Sequence, residues 1–248
     1  MPAPIRVLHV EDNREFASMT KTWLERRVEA ITVERVPKPA DGLDWLADSR
    51  PDCIVSDYQM PGMTGIEFLI EVRETDPNLP FILFTSKESE TVATDAIDAG
   101  VTDYLQKDTG MTQYALLAHR IEHAVGKRRA ETDYRSLLDN APEGIAIHDS
   151  ETGVVVDANA RFCTLIGHAR ENILDRPAAE LSAEASDGDS LDQQLAAATH
   201  SDSETGGDNE PFDWTIETSD GDRRTVEVTL ATAEIGGTER VLSFVREH

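Results

Sequence analysis

The stretch Cys53-Ile54-Val55-Ser56-Asp57-Tyr58-Gln59-Met60-Pro61-Gly62 constrains this chain more than any other. Apolar and small residues run straight into a carboxylate, and a turn built on Pro61 and Gly62 follows at once. A short apolar run closed by turn residues reads as a buried strand. Asp57 then lies at the carboxyl edge of that strand, where open parallel sheets place their ligand sites. Three other runs end in the same way. Ile5-Arg6-Val7-Leu8-His9-Val10 ends in Glu11-Asp12, Phe81-Ile82-Leu83-Phe84 in Thr85-Ser86, and Asp103-Tyr104-Leu105-Gln106 in Lys107. If the four strands are parallel neighbours, three acids, a hydroxyl and an ammonium converge on one pocket.

Between these runs lie helix-like segments. Asn13 caps a first one, striped by Phe16, Met19, Trp23 and Leu24. Ile31-Thr32-Val33 reads as a further strand, with Pro37 and Pro39 as breakers, and Leu43, Leu46 and Ala47 stripe a second helix. Ile66, Leu69, Ile70 and Val72 mark a third, and a fourth runs from near Ser89 to Ala99 and stops at Gly100. Five strands separated by helices predict a parallel sheet with helices on both faces. From Met111 the pattern stays helical through Tyr114, Leu117, Ile121, Ala124 and Val125 to Tyr134, Leu137 and Leu138, either continuous or broken at Gly126.

The remainder has a different rhythm. Gly144 to His148 and Val154 to Val156 read as a hairpin, and Phe162, Leu165 and Ile166 as a helical patch ended by Gly167. Residues 183–210 are rich in Ser, Asp, Gly and Thr and read as a loop, with one short helix expected at Leu191 to Ala198. Strands are expected near 212–218, 224–233 and 239–246, an antiparallel meander that makes this part α+β.

Charge bears on partners. Up to residue 127 there are 13 basic and 22 acidic residues, and beyond it 10 and 26, so the net charges are −9 and −16 within a total of −25. Nucleic acid and anionic membrane surfaces need a basic footprint and are not expected as partners. Acidity in both parts points to a general adaptation such as high intracellular salt, a halophilic character. The two cysteines, Cys53 and Cys163, form no CxxC pair and read as small buried residues. No signal-peptide apolar core precedes Glu11 and Asp12, and no apolar run approaches ~18 residues, so a soluble cytoplasmic protein is expected.

The strand-end groups define a chemistry. At an effective dielectric near ~20, each pair of carboxylates ~4 Å apart costs about 4 kcal/mol. A divalent cation removes that cost, and oxygen-only ligands suit magnesium rather than zinc. With Lys107 and the Thr85 hydroxyl beside it, Asp57 is equipped to accept a phosphoryl group, whose charge the cations stabilise. Taken singly, Glu11-Asp12 reads as an acidic helix start, Thr85-Ser86 as a turn and Lys107 as a surface ammonium. Only their joint placement at four strand ends outweighs those readings.

On these motifs, residues 1–127 resemble the response-regulator receiver (CheY-like) domain of two-component signalling. The resemblance implies a flavodoxin-like, doubly wound five-stranded sheet of order 2-1-3-4-5. It implies that Asp57 is the phosphoacceptor, charged from the phosphohistidine of a cognate histidine kinase. Asp12 would ligate Mg2+ directly with Glu11 assisting, Asp57 and the backbone carbonyl of Gln59 would complete the set, and Thr85 and Lys107 would contact the phosphoryl group. Tyr104, three residues before Lys107, matches the switch aromatic. Glu11 departs from the usual Asp, and Asp108 follows Lys107 where many members have Pro, so the usual cis peptide is in doubt. Gln59 and Lys87 occupy positions that govern dephosphorylation, and neither is an acid, which implies a phosphoryl group held for minutes or longer. His9 and His119 read as ordinary residues rather than ligands.

Residues 134–248 resemble a PAS domain, carried by Tyr134 to Ile145, Val156-Asp157-Ala158-Asn159, Leu165-Ile166-Gly167 and the terminal meander. PAS domains sense signals or dimerise. No ligand site carries over: Cys163 lies outside the reactive Asn-Cys-Arg-Phe motif of the photosensors, and His148 and His168 read as surface or hydrogen-bonded residues rather than haem ligands. No PAS ligand is expected.

The sequence therefore reads as a receiver domain (1–127), a helical linker (128–133) and a PAS domain (134–248), a layout that resembles haloarchaeal two-component proteins. It carries no kinase ATP-binding motif and is expected to be a phosphoacceptor regulator, not an enzyme, with a possible homodimer through the linker helix and PAS part. One alternative is the sensor half of a hybrid histidine kinase, since the chain stops where such a kinase would continue into a helix. Another is a magnesium-dependent phosphohydrolase, disfavoured because Gln59 stands where that class has a second acid.

Overall fold

The computed structural model describes residues 3–28, 30–86, 90–108, 110–181, 194–195 and 210–247. The chain divides into two compact units, Met1–Thr132 and Asp133–His248.

The first unit is a five-stranded parallel sheet of β1 (Ile5–Val10), β2 (Ile31–Val36), β3 (Cys53–Ser56), β4 (Phe81–Thr85) and β5 (Asp103–Gln106). Their order is β2-β1-β3-β4-β5, as expected for the flavodoxin-like arrangement. Each strand is followed by a helix: α1 (Arg14–Arg27), α2 (Pro39–Asp48), α3 (Gly65–Thr75), α4 (Glu90–Asp98) and α5 (Thr112–Asp139). Two apolar layers sandwich the sheet. Val7, Val55, Ile82 and Phe84 pack with Leu24, Leu117 and Ile121 on one face, and Leu8, Ile54, Leu83 and Phe81 with Phe68, Leu69 and Ala96 on the other. β3 and β4 are buried throughout because both faces are covered, which explains their unbroken apolar runs.

Local signals set the helix starts. Asn13 Oδ1 accepts the N–H groups of Glu15 and Phe16, both at 3.1 Å. Thr64 and Glu67 form a reciprocal capping box at α3. Pro39 opens α2 at its first turn rather than breaking the chain there, and β2 runs on to Val36. Two stripe residues point outward: Met19 is 51% and Ile70 48% exposed, while Ala17 and Thr20 fill the buried face of α1 and Val72 that of α3. α5 passes through Gly126 without a break. Arg128 reaches Asp76 at 2.7 Å and Arg129 reaches Asp52 at 2.9 Å, within the first unit.

The second unit is an antiparallel sheet of order β7-β6-β10-β9-β8. Its strands are β6 (Gly144–Asp149), β7 (Val155–Ala158), β8 (Phe212–Glu217), β9 (Arg223–Ile235) and β10 (Thr238–Glu247), with α6 (Ala160–Ile166) after β7. Ala146, Val155, Val228, Leu230 and Val241 pack against Phe162, Leu165 and Ile166 of α6. Ile145 and Ile147 alternate to the opposite face, where Leu138 from the end of α5 covers them. Leu137 does not join that stripe and is 77% exposed. Asn159 ties these pieces together. Its side chain accepts from Ile145 and Phe162 N–H at 2.9 and 2.8 Å and donates to the Leu138 and Glu143 carbonyls at 3.0 and 2.9 Å. A Cβ at Gly144 would stand 2.8 Å from Leu165 Cδ1, so α6 approaches β6 as closely as it does only because glycine is there.

The helix start at Ser89, Lys87, most of the 183–210 loop and most of the Leu191 to Ala198 helix lie outside the described residues.

Candidate functional site

The parallel order brings β1, β3, β4 and β5 side by side, so the groups following each strand gather at one edge. One oxygen from each of Glu11, Asp12 and Asp57 lies within 4.8 Å of the others. Lys107 joins them, its Nζ 2.6 Å from Glu11 Oε2 and 3.1 Å from Asp57 Oδ1. The two adjacent acids behave differently: Glu11 is 1% exposed, whereas Asp12 faces solvent. Burial pushes the Glu11 carboxyl above its ordinary range, opposed by the Lys107 ammonium and raised further by the Asp57 charge.

Backbone groups fix the carboxylates. Asp57 N–H donates to the Val10 carbonyl at 3.0 Å, and its Oδ1 accepts from Tyr58 N–H at 2.8 Å. Glu11 Oε1 accepts from Asn13 N–H at 3.1 Å. Thr85, buried at the end of β4, takes the Lys107 N–H on its carbonyl at 2.8 Å, which joins the ends of β4 and β5. Gln59 and Asp12 line a cleft of about 420 Å³ with Tyr58, Met60, Pro61 and Thr64. Tyr104 is half-buried, paired with Leu83 across β4 and β5, and packs against the core layer of Leu8, Leu83 and Ala96. Among the described residues there is no cis peptide, so Lys107 and Asp108 are joined in trans.

Three residues beside the site carry no motif of their own. Gly65 opens α3, and a Cβ there would stand 2.1 Å from the Asp57 carbonyl oxygen. The Thr64–Glu67 capping pattern around it was the available signal. Phe16 lies against the Lys107 ammonium and Gln113 holds the backbone of Asp108, the residue after it, and nothing in their spacing announces either contact. His9 sits one residue short of the end of β1, buried, with neither ring nitrogen hydrogen-bonded among the described residues. Burial, with the Lys107 and Arg35 charges, holds its imidazole down to about 3, so it is neutral. His119 is exposed.

The donor set is all oxygen, partly open to solvent, and with one ammonium against three carboxylates it is two positive charges short of neutrality. That fits a hard divalent cation and not a zinc centre.

The second unit holds a contrasting cluster. Asp157, buried at the end of β7, accepts Arg135 Nη1 at 2.9 Å and Nη2 at 3.1 Å, Arg170 Nη2 at 2.7 Å and Tyr134 Oη at 3.0 Å. Burial pushes the Asp157 carboxyl up, and the two guanidiniums outweigh it, leaving the group below the usual carboxylate range. His148 is buried and shares a 2.8 Å hydrogen bond with Ser243 Oγ. Cys163 is half-buried. No described helix is long and apolar enough to cross a membrane.

Comparison with known proteins agrees with this division. The family model for the response regulator receiver domain matches residues 7–118, and a PAS domain model matches 132–199. The response regulator MprA of Mycobacterium sp. (strain KMS) is 33% identical over 104 residues, 42% of this chain. The match spans 44% of that relative, less than half its length. Among solved structures, the CheY-like receiver from Methanospirillum hungatei JF-1 aligns at 23% identity with a TM-score of 0.48, covering 52% of this chain and 99% of its own. The PAS domain of an HTR-like protein from Haloarcula marismortui aligns at 22% identity with a TM-score of 0.40, covering 49% of this chain and 99% of its own. The chain thus carries a response regulator receiver domain followed by a PAS domain.

Proposed function

We propose that Asp57 accepts a phosphoryl group from the phosphohistidine of a cognate histidine kinase. The observation that carries this reading is the gathering of Glu11, Asp12 and Asp57 within 4.8 Å, with Lys107 bonded to two of them. A carboxylate oxygen of Asp57 attacks phosphorus, the bond to the imidazole nitrogen breaks, and the histidine leaves with the electron pair. Asp12 and Asp57 would hold Mg2+, with Glu11 assisting and the Gln59 carbonyl completing the set. The bound ion supplies positive charge for the phosphoryl oxygens. Lys107 gives up part of its ion pairing to meet the same oxygens, and the Thr85 hydroxyl donates to them. Tyr104 turns inward as Thr85 moves, carrying the state of the site to the surface of β5 and α5.

The PAS part senses a signal or mediates homodimer contact through the linker, without a bound chromophore. The protein acts as a regulator in the cytoplasm, not as an enzyme, and its acidic surface suits high salt rather than nucleic acid. The test is intact mass after incubation with acetyl phosphate and Mg2+. The wild-type chain gains one phosphoryl group and Asp57→Asn gains none; a modified Asp57→Asn protein overturns the assignment. Loss of the group within seconds at neutral pH would overturn the long lifetime expected from Gln59.

A further inference from the structure

Lys107 carries its ammonium on a flexible four-carbon stem, and a point charge has no preferred direction of approach. Its two ion pairs do not by themselves hold one position. Two residues outside the strand-end motif bear on it, one against its ammonium and one on the backbone of the next residue.

The first is Phe16. The ammonium lies 4.5 Å from the centre of its ring, and 5.9 Å from that of Phe84. Within ~6 Å an aromatic face attracts a cation. Phe16 is itself fixed by a closed circuit. Its N–H donates to Asn13 Oδ1 at 3.1 Å, Asn13 N–H donates to Glu11 Oε1 at 3.1 Å, and Glu11 Oε2 takes the Lys107 ammonium at 2.6 Å. The ring rests on Phe84 at 5.6 Å and Tyr114 at 6.2 Å, so it has little room to turn.

The second is Gln113, buried on the first turn of α5. Its Oε1 accepts Asp108 N–H at 2.8 Å, and its Nε2 donates to the Asp108 carbonyl. Both backbone groups of the residue after Lys107 are therefore held by one amide. The Lys107 N–H is held on the other side by the Thr85 carbonyl. A side-chain amide thus supplies the stiffness that a proline ring would give at position 108.

We propose that Phe16 and Gln113 are positioning residues for Lys107, the ring seating its ammonium and the amide fixing its backbone. Neither touches the reacting atoms. The inference rests on the phosphoacceptor reading of Asp57 for its kinetic consequence, but not for its geometry.

The test uses the full chain and two readouts. In the first, phosphorylation by acetyl phosphate with Mg2+ is followed by intact mass over a range of donor concentrations. Phe16→Leu lowers the limiting rate about three- to tenfold, the scale of a cation–π contact, with little change in half-saturating donor. Phe16→Tyr restores it, because the ring face returns. Gln113→Ala lowers the limiting rate likewise, and Gln113→Glu, which keeps the acceptor but not the donor, falls between. In the second readout, Lys107 is reductively methylated with a 13C label and observed by NMR. Its methyl signals are shifted upfield by the ring current in wild type and Phe16→Tyr, and return to the ordinary lysine position in Phe16→Leu. An unshifted wild-type signal, or equal rates in wild type, Phe16→Leu and Gln113→Ala, overturns the proposal. A shifted signal in a wild-type chain that takes no phosphoryl group keeps the seat and removes the phosphoacceptor reading instead.

Discussion

Asp57 and Asp157 are both buried carboxylates near the ends of strands, and both are held by cations, yet their surroundings carry opposite charge. Around Asp57 three carboxylates face one ammonium, a formal sum of −2. Around Asp157 one carboxylate faces two guanidiniums, a sum of +1, with the Tyr134 phenol as a further donor. The Asp157 cluster is saturated in charge and hydrogen bonds: both carboxylate oxygens are held by donors of the protein itself. The Asp57 cluster is short of positive charge and open to the cleft beside Asp12. A saturated cluster fixes structure, and an unsaturated one takes up whatever completes it. The same residue type therefore serves as a fastener in one unit and, on the proposed reading, as the phosphoacceptor in the other.

The largest effect that sharpens this contrast comes from Lys107→Ala. It should slow phosphorylation of Asp57 by about a hundredfold or more, the scale of losing one preorganised charged donor. Hydrogen exchange in β6 to β10 should be unchanged. A rate within a factor of about three of wild type would remove Lys107 from the chemistry.

Magnesium separates the two clusters next. At ~100 times its dissociation constant a ligand stabilises its folded site by about 2.7 kcal/mol. Exchange from β1, β3 and β5 should slow accordingly, while exchange around Asp157 stays as it was. Equal slowing in both units, or slowing in Asp12→Ala, breaks the comparison, because the ion would then be acting on general surface charge.

Asp157→Asn should destabilise the second unit by about 1–2 kcal/mol. A charge-assisted hydrogen bond contributes about 1.5–3 kcal/mol, and the half-exposed guanidiniums recover part of that from solvent. The phosphorylation rate should not move. A slower Asp57 reaction in Asp157→Asn would show that the two clusters are coupled after all.

The smallest effect is one the units share. Burial lowers His9 to about 3 and His148 to about 4, so each folded unit keeps one imidazole neutral while its unfolded chain binds a proton below about 6.5. The unfolded state then holds more protons, and stability falls as pH falls through the window from 6.5 to about 4 for His148 and to about 3 for His9. Between pH 6.5 and 5.5 each unit should lose about 1 kcal/mol. Denaturant unfolding at the two pH values checks it, and a His148→Gln variant should flatten the slope in the second unit alone.

Much of this architecture was legible because it is dictated locally. Strands covered on both faces show as apolar runs, and the residue after each run marks the strand's end, so Asp12, Asp57, Thr85 and Lys107 could be placed before any coordinates. Asn159 could be read as part of a motif, though not as the four-bond hub it is. What failed to show was phase. Met19 and Ile70 were grouped with their stripes for being apolar, but a helix turns 100° per residue and both face water. Gly126 left the helix open between continuous and broken, because a glycine costs about 1 kcal/mol, which the buried Ala124 and Val125 beside it offset. Phe16 and Gln113 were invisible because their relation to Lys107 spans 91 and 6 positions of chain that only the folded loops bring together.

The close approach of α3 to Asp57 has a consequence at the level of the gene. Every single-nucleotide missense change in a glycine codon yields a residue that carries a Cβ. At position 65 each of them places that carbon 2.1 Å from the backbone carbonyl oxygen of Asp57. Silent third-position changes aside, no substitution at this codon fits the present approach of α3 to β3, so the position admits only glycine while that approach is kept.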